Sequence, residues 1–379
     1  MKLTISKVEL QKALARLQAI VEKRNSMPIL ANVLLEADKG TGKGENQDGC
    51  LRMAATDLEV GLRGRHPANV SEAGGLTVSA KKLFEIVREL PEEEIALETT
   101  ANSYLDIRCA RAHFTLAGTA ADEYPTLPEF SPESTVNVPS ALLSSMIDRT
   151  MYAASVDETR YNLNGVYLEV HPDTGKLRMV ATDGHRLALV DREVQGDIGG
   201  LENGVIIPRK GLAELKRLLD EDDVDDVEIG FEGNSGLARK GEVTLVMRLI
   251  EGEFPNYQQV IPNDLSVRLV VSSEQLIKSL RRVVLLSSER SRAVKLELGD
   301  GQLVVSSTNP DLGDAQDEFD VEYSGEKVAV GFNARYLLDA LSALREKEVR
   351  LGLQSDLSPA QVMPTNDDDT TAVVMPMRL

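Results

Sequence analysis

The feature that most constrains this chain is a threefold internal echo. Ala54–Leu62 reads AATDLEVGL, Ala181–Leu189 reads ATDGHRLAL, and Ser306–Asp314 reads SSTNPDLGD. The anchor residues Asp57, Asp183 and Asn309 are evenly spaced, 126 residues apart. A repeat of that length copies a whole domain and is too long for a solenoid unit.

The flanks repeat as well. Helical patterns precede each anchor, from Ser6, Pro139 and Ser272, and others follow it, from Val78, Ile207 and Phe332. Leu10, Leu14, Leu17 and Val21 fall on one helical face, as do Leu276, Leu280 and Val283/Val284. Between the helices lie short alternating stretches such as YLDIRCA, VYLEV, LRMVAT and KVAVGF, which read as strands. GDGQ at Gly299–Gln302 reads as a hairpin turn inside KLELGDGQLVVSST. FTLAGTAADEYPTLP from Phe114 and TLVMRLIEGEFPNYQQVIP from Thr244 end on matching turns, while the third unit stops at TAVVMPMRL. The expected fold is α+β: three repeated domains, each with helices packed on antiparallel sheet. Pro-containing polar stretches near Pro128–Pro132 and Pro262–Asp264 set the expected domains at 1–129, 130–262 and 263–379.

Charge is segregated by element. The net charge is −19, yet the six helical stretches hold 18 Lys/Arg against 9 Asp/Glu. The acid sits in loops and strands, as in DEDDVDD at 220–226 and NDDD at 366–369. Solvated helices often carry Lys and Arg. A sharper reading puts helices of all three repeats on one basic surface that holds phosphates without reading bases. If two helices per repeat line a ring, six helices leave a hole of roughly 7 Å, and twelve leave on the order of 25 Å. Duplex DNA then needs two chains, joined head to tail. A repeat scaffold that binds peptides and not DNA is the alternative, but it has no need for basic helices.

Catalysis, metals and nucleotides fit less well. Asp183 and His185 sit two apart, but the first repeat has no His at that place and the third has Asn for Asp. The shared Thr-Asp/Asn therefore reads as a structural turn whose side chain satisfies backbone donors, and no catalytic residue is expected. His66, His113, His171 and His185 lack metal-ligand spacing. GTGKGENQDG lacks the phosphate-loop pattern. Neither a metal nor a cofactor is expected. Cys50 and Cys109 are too few for a disulfide framework, and no apolar run approaches a membrane span. A soluble cytoplasmic protein is expected.

VATDGHRLAL, VIIPRKGLAELKRLLD, GEFPNYQQVIP, MPILANVLLEA, YSGEKVAVGFNARYLLDAL and the terminal VVMPMRL resemble the bacterial DNA polymerase III beta subunit family. The resemblance covers essentially the whole chain. It implies a homodimeric ring of six domains around duplex DNA: a processivity factor without catalytic activity. A clamp loader opens such a ring, and replicative and repair polymerases dock on it through short peptides.

The peptide cleft implied by the resemblance maps to Leu163, Thr182, Gly184, His185, Arg186, Leu187, Pro255, Val260, Asn333, Tyr336, Val373, Val374, Met375, Pro376, Met377, Arg378 and Leu379. DNA contact maps to Arg24, Tyr161, Arg209 and Lys210. The intersubunit contact maps to Phe114 and Leu116 against Leu285 and Leu286. Asn162 stands where better-known relatives carry a second Tyr, and Asp157 where some carry Gln. The stretch 38–50 looks longer than the usual turn, and no role is assigned to it.

Overall fold

The structure is a computed structural model of the chain. It describes all residues except 22–26, 41–48, 129–134, 197–200, 202, 222–224, 263–264 and 379. Arg24, Leu379, both expected domain boundaries and most of the 38–50 stretch lie outside the described residues.

The repeat is visible in the order of elements. The first runs β1 (Lys2–Ser6), α1 (Lys7–Ile20), β2 (Asn32–Asp38), β3 (Cys50–Thr56), β4 (Val60–Pro67), β5 (Asn69–Glu72), β6 (Gly74–Ser79), α2 (Ala80–Glu89), β7 (Glu94–Thr99), β8 (Tyr104–Cys109) and β9 (Ala112–Thr119). The second runs β10 (Thr135–Pro139), α3 (Ser140–Thr150), β11 (Gly165–Val170), β12 (Leu177–Thr182), β13 (Arg186–Arg192), β14 (Val205–Pro208), α4 (Arg209–Leu219), β15 (Asp226–Glu232), β16 (Ser235–Lys240) and β17 (Val243–Arg248). The third runs β18 (Val267–Ser272), α5 (Ser273–Val283), β19 (Ala293–Gly299), β20 (Gln302–Asn309), β21 (Gly313–Asp320), β22 (Val328–Asn333), α6 (Ala334–Leu344), β23 (Glu348–Leu353), β24 (Ala360–Pro364) and β25 (Thr370–Val374). All six expected helices are present. β5 has no counterpart among the described strands of the other repeats, and the alternation pattern did not anticipate it.

Local chemistry explains the repeated helix starts. The residue ending β1, β6, β18 and β22 caps the helix that follows. Ser6 accepts from the Glu9 amide at 3.2 Å, Ser79 from Lys82 at 3.4 Å, Ser272 from Gln275 at 3.4 Å and Asn333 from Arg335 at 2.9 Å. The apolar stripes then turn inward. Leu10, Leu14 and Leu17 are buried, while Val21 at the end of its stripe is only partly covered. Leu276, Leu280 and Val283 of α5 join Leu337, Leu341 and Leu344 of α6 in a core with Leu296, Leu303 and Phe332. Each such side chain contributes about 1.5–3 kcal/mol on leaving water. The GDGQ hairpin forms as expected: Gly299 pairs with Gln302, and Asp300 and Gly301 take φ of 52° and 79°.

By contact the chain divides into two compact units. One is Met1–Ser140 with Gly196–Gly200 and Ala213–Leu249; the other is Ala141–Gln195 with Leu201–Leu212 and Ile250–Leu379. The first unit holds a sheet ordered β10-β15-β16-β17-β4-β3-β2-β6-β9-β8-β7-β1-β5. Within it β6 meets β9 through Thr77↔Thr119 and Val78↔Gly118 alone. A Cβ on Gly118 would stand 2.7 Å from the Thr77 carbonyl oxygen, so this close pairing requires glycine there. The second unit holds a sheet ordered β14-β11-β12-β13-β25-β24-β23-β18 and a four-stranded sheet ordered β21-β20-β19-β22. Among the described residues, no helix is long and apolar enough to cross a membrane.

Two junctions between repeats have one design. The strand after the first Thr-Asp turn, β4, pairs with the last strand of the second repeat, β17, through Val60↔Met247 to Gly64↔Val243. The strand after the second turn, β13, pairs with the last strand of the third repeat, β25, through Arg186↔Val374 to Val190↔Thr370. Among the described strands, the corresponding strand of the third repeat, β21, pairs with β20 alone and so ends its sheet.

Candidate functional site

The Thr-Asp turn is the scaffold of the site, and its bonding is duplicated. In the first repeat the Thr56 hydroxyl donates to the Val60 carbonyl at 3.0 Å and accepts from the Leu58 amide at 3.0 Å. The Asp57 carboxylate accepts from the Glu59 and Val60 amides at 2.9 and 2.8 Å. In the second, Thr182 donates to the Arg186 carbonyl at 2.6 Å and accepts from Gly184 at 3.1 Å. Asp183 accepts from the His185 and Arg186 amides at 2.9 and 3.0 Å. The Asp oxygen is thus committed to backbone donors, as the turn reading expects. Gly184 has φ of 85°, and Leu58 occupies the matching place at 77°, a strained setting for a branched residue.

This turn places two side chains beside α6. The His185 ring stacks on Tyr336 with centroids 6.2 Å apart. The Arg186 guanidinium lies 4.8 Å from the Tyr336 centroid and 5.5 Å from that of Tyr152. Asp183 accepts from Arg186 Nε at 3.2 Å, and Asp339 accepts from its Nη1. Burial raises the Tyr336 phenol above its usual pKa, and the Asp183 charge adds to this. Arg160 donates to the Asp183 carbonyl at 3.1 Å, which ties the turn to the segment Glu158–Leu163 and so brings in Leu163.

The C-terminal segment completes the wall. The Met375 amide donates to the His185 carbonyl at 2.9 Å, and the Met377 amide to Gly331 at 2.8 Å. Met375, Pro376 and Met377 are half-buried, and Arg378 is exposed. Val373, Val374, Leu187 and Thr182 are buried, so they form the floor and not the surface. Val260 packs against the cluster of Val180, Leu187, Tyr257 and Val373 beneath, and Pro255 is exposed nearby in sequence. Asn333 spends its carbonyl oxygen on the α6 cap. The surface that results is apolar, with a few orienting polar groups and adaptable methionines, and suits short extended peptides.

Sequence reasoning missed Tyr152, Arg160 and Asp339. Asp339 lies one helical turn from Tyr336 on α6, a spacing visible in the sequence, but its pairing with Arg186 is not. Also missed was the support below: Arg178 grips Asp191 with two bonds of 2.6 Å and donates to the Tyr257 hydroxyl at 3.1 Å. Burial, with Glu169 next, pushes the Tyr257 phenol up to about 12.

The DNA-contact expectations fall partly together. Tyr161 is 60% exposed. Arg209 opens α4, donates its amide to the Asn164 carbonyl at 3.1 Å and its guanidinium to Ser155 at 3.4 Å, and so sits on the loop that carries Tyr161. Lys210 follows it, half-buried. The departures in this loop have structural roles. Asn162 donates to the Glu253 carbonyl at 3.0 Å, and Asp157 accepts from the Thr159 amide and hydroxyl at 3.0 and 2.7 Å. Those two bonds hold the Asp157 carboxyl below its usual range. Of the four interface residues, Phe114 and Leu285 are exposed, Leu285 to 75%, and Leu116 and Leu286 are half-buried.

Comparison with known proteins agrees over the whole chain. Residues 1–128, 137–256 and 258–378 match the N-terminal, central and C-terminal domains of the DNA polymerase III beta subunit. The chain is 37% identical over 380 residues to a beta sliding clamp of Pseudomonas aeruginosa, and 34% identical over 381 residues to that of Escherichia coli, with 100% of each chain covered in both cases. The crystal structure of the DNA polymerase III subunit beta from Pseudomonas aeruginosa shares its fold with a TM-score of 0.92 at 37% identity, again over 100% of both chains. A clamp from the same organism has been crystallised bound to griselimycin. On these matches, together with the three repeats and the twice-built turn, the chain belongs to the DNA polymerase III beta subunit family, the beta sliding clamps.

Proposed function

We propose that two copies of this chain close head to tail into a ring that encircles duplex DNA without reading sequence and tethers polymerases to it. The observation that carries this is the repeated junction. β4 meets β17 and β13 meets β25, which leaves β21 of the third repeat with β20 as its one partner among the described strands, and β9 of the first paired with β8 along its length but with β6 through Gly118 and Thr119 alone. Pairing β21 of one copy with β9 of the other repeats the same junction a third time.

Charge leans the same way: β21 carries Asp314, Asp317, Glu318 and Asp320, of which Asp317 is paired with Arg282, while Arg108, Arg111 and His113 lie on or beside β9, with Asp106 paired to Arg108 and His113. Phe114 and Leu116 of one copy would meet Leu285 and Leu286 of the other, as a mostly apolar contact with a polar rim. A closed ring binds by topology, so Arg24, Tyr161, Arg209 and Lys210 need only weak phosphate contacts. The cleft around His185, Arg186 and Tyr336 would take the short peptides of replicative and repair polymerases, and a clamp loader would open the ring. The chain would work in the cytoplasm without chemistry of its own.

The test is retention on DNA before and after linearisation. The protein is loaded onto a nicked circle with its loader, and the circle is then cut. Retention on circles with loss from cut ends is expected. Equal loss from both would overturn the ring and favour a peptide scaffold.

A further inference from the structure

The extra strand β5 shows what the other repeats lack. It lies against the outer edge of β1, in register Lys2↔Glu72, Leu3↔Val70 and Thr4↔Asn69. Ser71 also donates its hydroxyl to the Lys2 carbonyl at 3.1 Å. β18 is the counterpart of β1: both end on a serine that caps the next helix, so Arg268 matches Lys2 and Val270 matches Thr4. Among the described residues no strand pairs with the outer edge of β18, which ends its sheet.

A groove of about 840 Å³ opens over β18 and its inner neighbours β23 and β24 and reaches the segment Asp320–Glu322 that follows β21. The first repeat places β5 directly after β4; the third places Val321 and Glu322 directly after β21, but these bond to the Gly301 side and not to β18. Val270 is left 49% exposed on the open edge. Open edges of this kind are templates for a further strand. Arg268 is exposed as well, and its register partner on β23 is Gly352, which offers no side chain. Lys2, by contrast, has Glu98 on β7 at 3.2 Å and Glu72 on β5 in register.

We infer that the β18 edge is a docking site for an extended segment of a partner protein, added as a further antiparallel strand. The segment carries one carboxylate set opposite Arg268 among small polar and β-branched residues. The composition follows from the first repeat, where the chain's own Asn69-Val70-Ser71-Glu72 covers the equivalent edge. A segment with several acids is disfavoured, because Asp320, Glu322, Glu348 and Asp368 line the groove against Arg268 and Arg350. The site is separate from the cleft at Tyr336 and does not rest on ring formation.

The probe is a fluorescein-labelled peptide with the sequence of residues 67–74, PANVSEAG, titrated into the full-length protein and read by anisotropy. Saturable binding is expected, weakened about tenfold in Arg268→Glu, where an opposed charge pair becomes a like pair. A peptide with Lys in place of its Glu should restore binding to that variant. Amide exchange should slow at 267–271 when the peptide is present and stay unchanged at 2–6. No saturable binding, or binding that ignores Arg268→Glu, overturns the inference; the second result would send the peptide to another surface such as the cleft.

Discussion

The Arg186 guanidinium lies over the Tyr336 ring, 4.8 Å from its centroid, and is paired with the carboxylates of Asp183 and Asp339. The guanidinium thereby sets the orientation of the ring that forms one wall of the cleft. Arg186→Lys keeps the charge but loses the guanidinium over the ring and the fork to two acids. Peptide affinity should fall about three- to tenfold, the scale of a partly exposed cation–π contact. Isothermal titration with a polymerase-derived peptide checks this, and an unchanged dissociation constant would remove Arg186 from the cleft's positioning groups.

Removing the chain from Met375 onward should abolish peptide binding. The tail is stapled by the Met375 amide to His185 and the Met377 amide to Gly331, and Val373 and Val374 remain to hold the sheet. Circular dichroism should show a folded chain, and calorimetry no binding. Wild-type affinity in the truncated protein would exclude the tail from the site.

Charge reversal at Arg24, Arg209 and Lys210 should shorten retention on DNA and flatten its salt dependence, since each lost phosphate contact lowers the slope by about one. Dimer mass and peptide affinity should not change. Retention at low salt equal to wild type would exclude these residues as phosphate contacts.

Leu285→Lys with Leu286→Lys should yield monomers by light scattering. Leu285 is exposed in the single chain and would be covered in the ring, where an unpaired charge is costly. The acidic β21 and the basic neighbourhood of β9 add that the wild-type dimer should weaken as salt rises. A dimer mass in the double variant would place the contact elsewhere.

Stability should fall as the medium becomes mildly acidic, in part through His66. Its ring is buried, with Nδ1 2.7 Å from Glu9, and burial holds its pKa below the usual value in spite of that carboxylate. The unfolded chain therefore takes up the proton first. The contribution of His66 is whole above about pH 6.5 and is lost as pH drops through that value toward the lower folded one. Denaturant midpoints measured at about pH 7.5 and about pH 5.5 should differ less in His66→Gln than in wild type. An equal shift in both would clear His66 of the effect.

Much of this architecture is legible in the chain because its signals are local. Caps such as Ser6 and Ser272 act over three residues. The Thr-Asp turn satisfies its own backbone within four, and the Asp300-Gly301 hairpin needs only two residues with positive φ. Periodicity then assigns helix or strand, and the even spacing of Asp57, Asp183 and Asn309 reports three domains. Resemblance added which residues are expected to meet a peptide, DNA or a second copy.

Tertiary structure alone decided the pairings between distant segments. Arg186 reaches Asp339 across 153 positions, and Arg178 reaches Tyr257 across 79. No pattern of period two or 3.6 records such a contact, because each partner is an ordinary polar residue on its own element. The same holds for Val373 and Val374: their sequence fits a groove wall, but pairing with β13 turns both into the core. It holds for β5 too, whose short polar run is a strand only because the edge of β1 supplies its hydrogen bonds. The sequence by itself determined the three repeats and the turn built in the first two; which edges those repeats close, and which the described strands leave open at β18 and β21, depends on strand pairing between residues far apart in the chain.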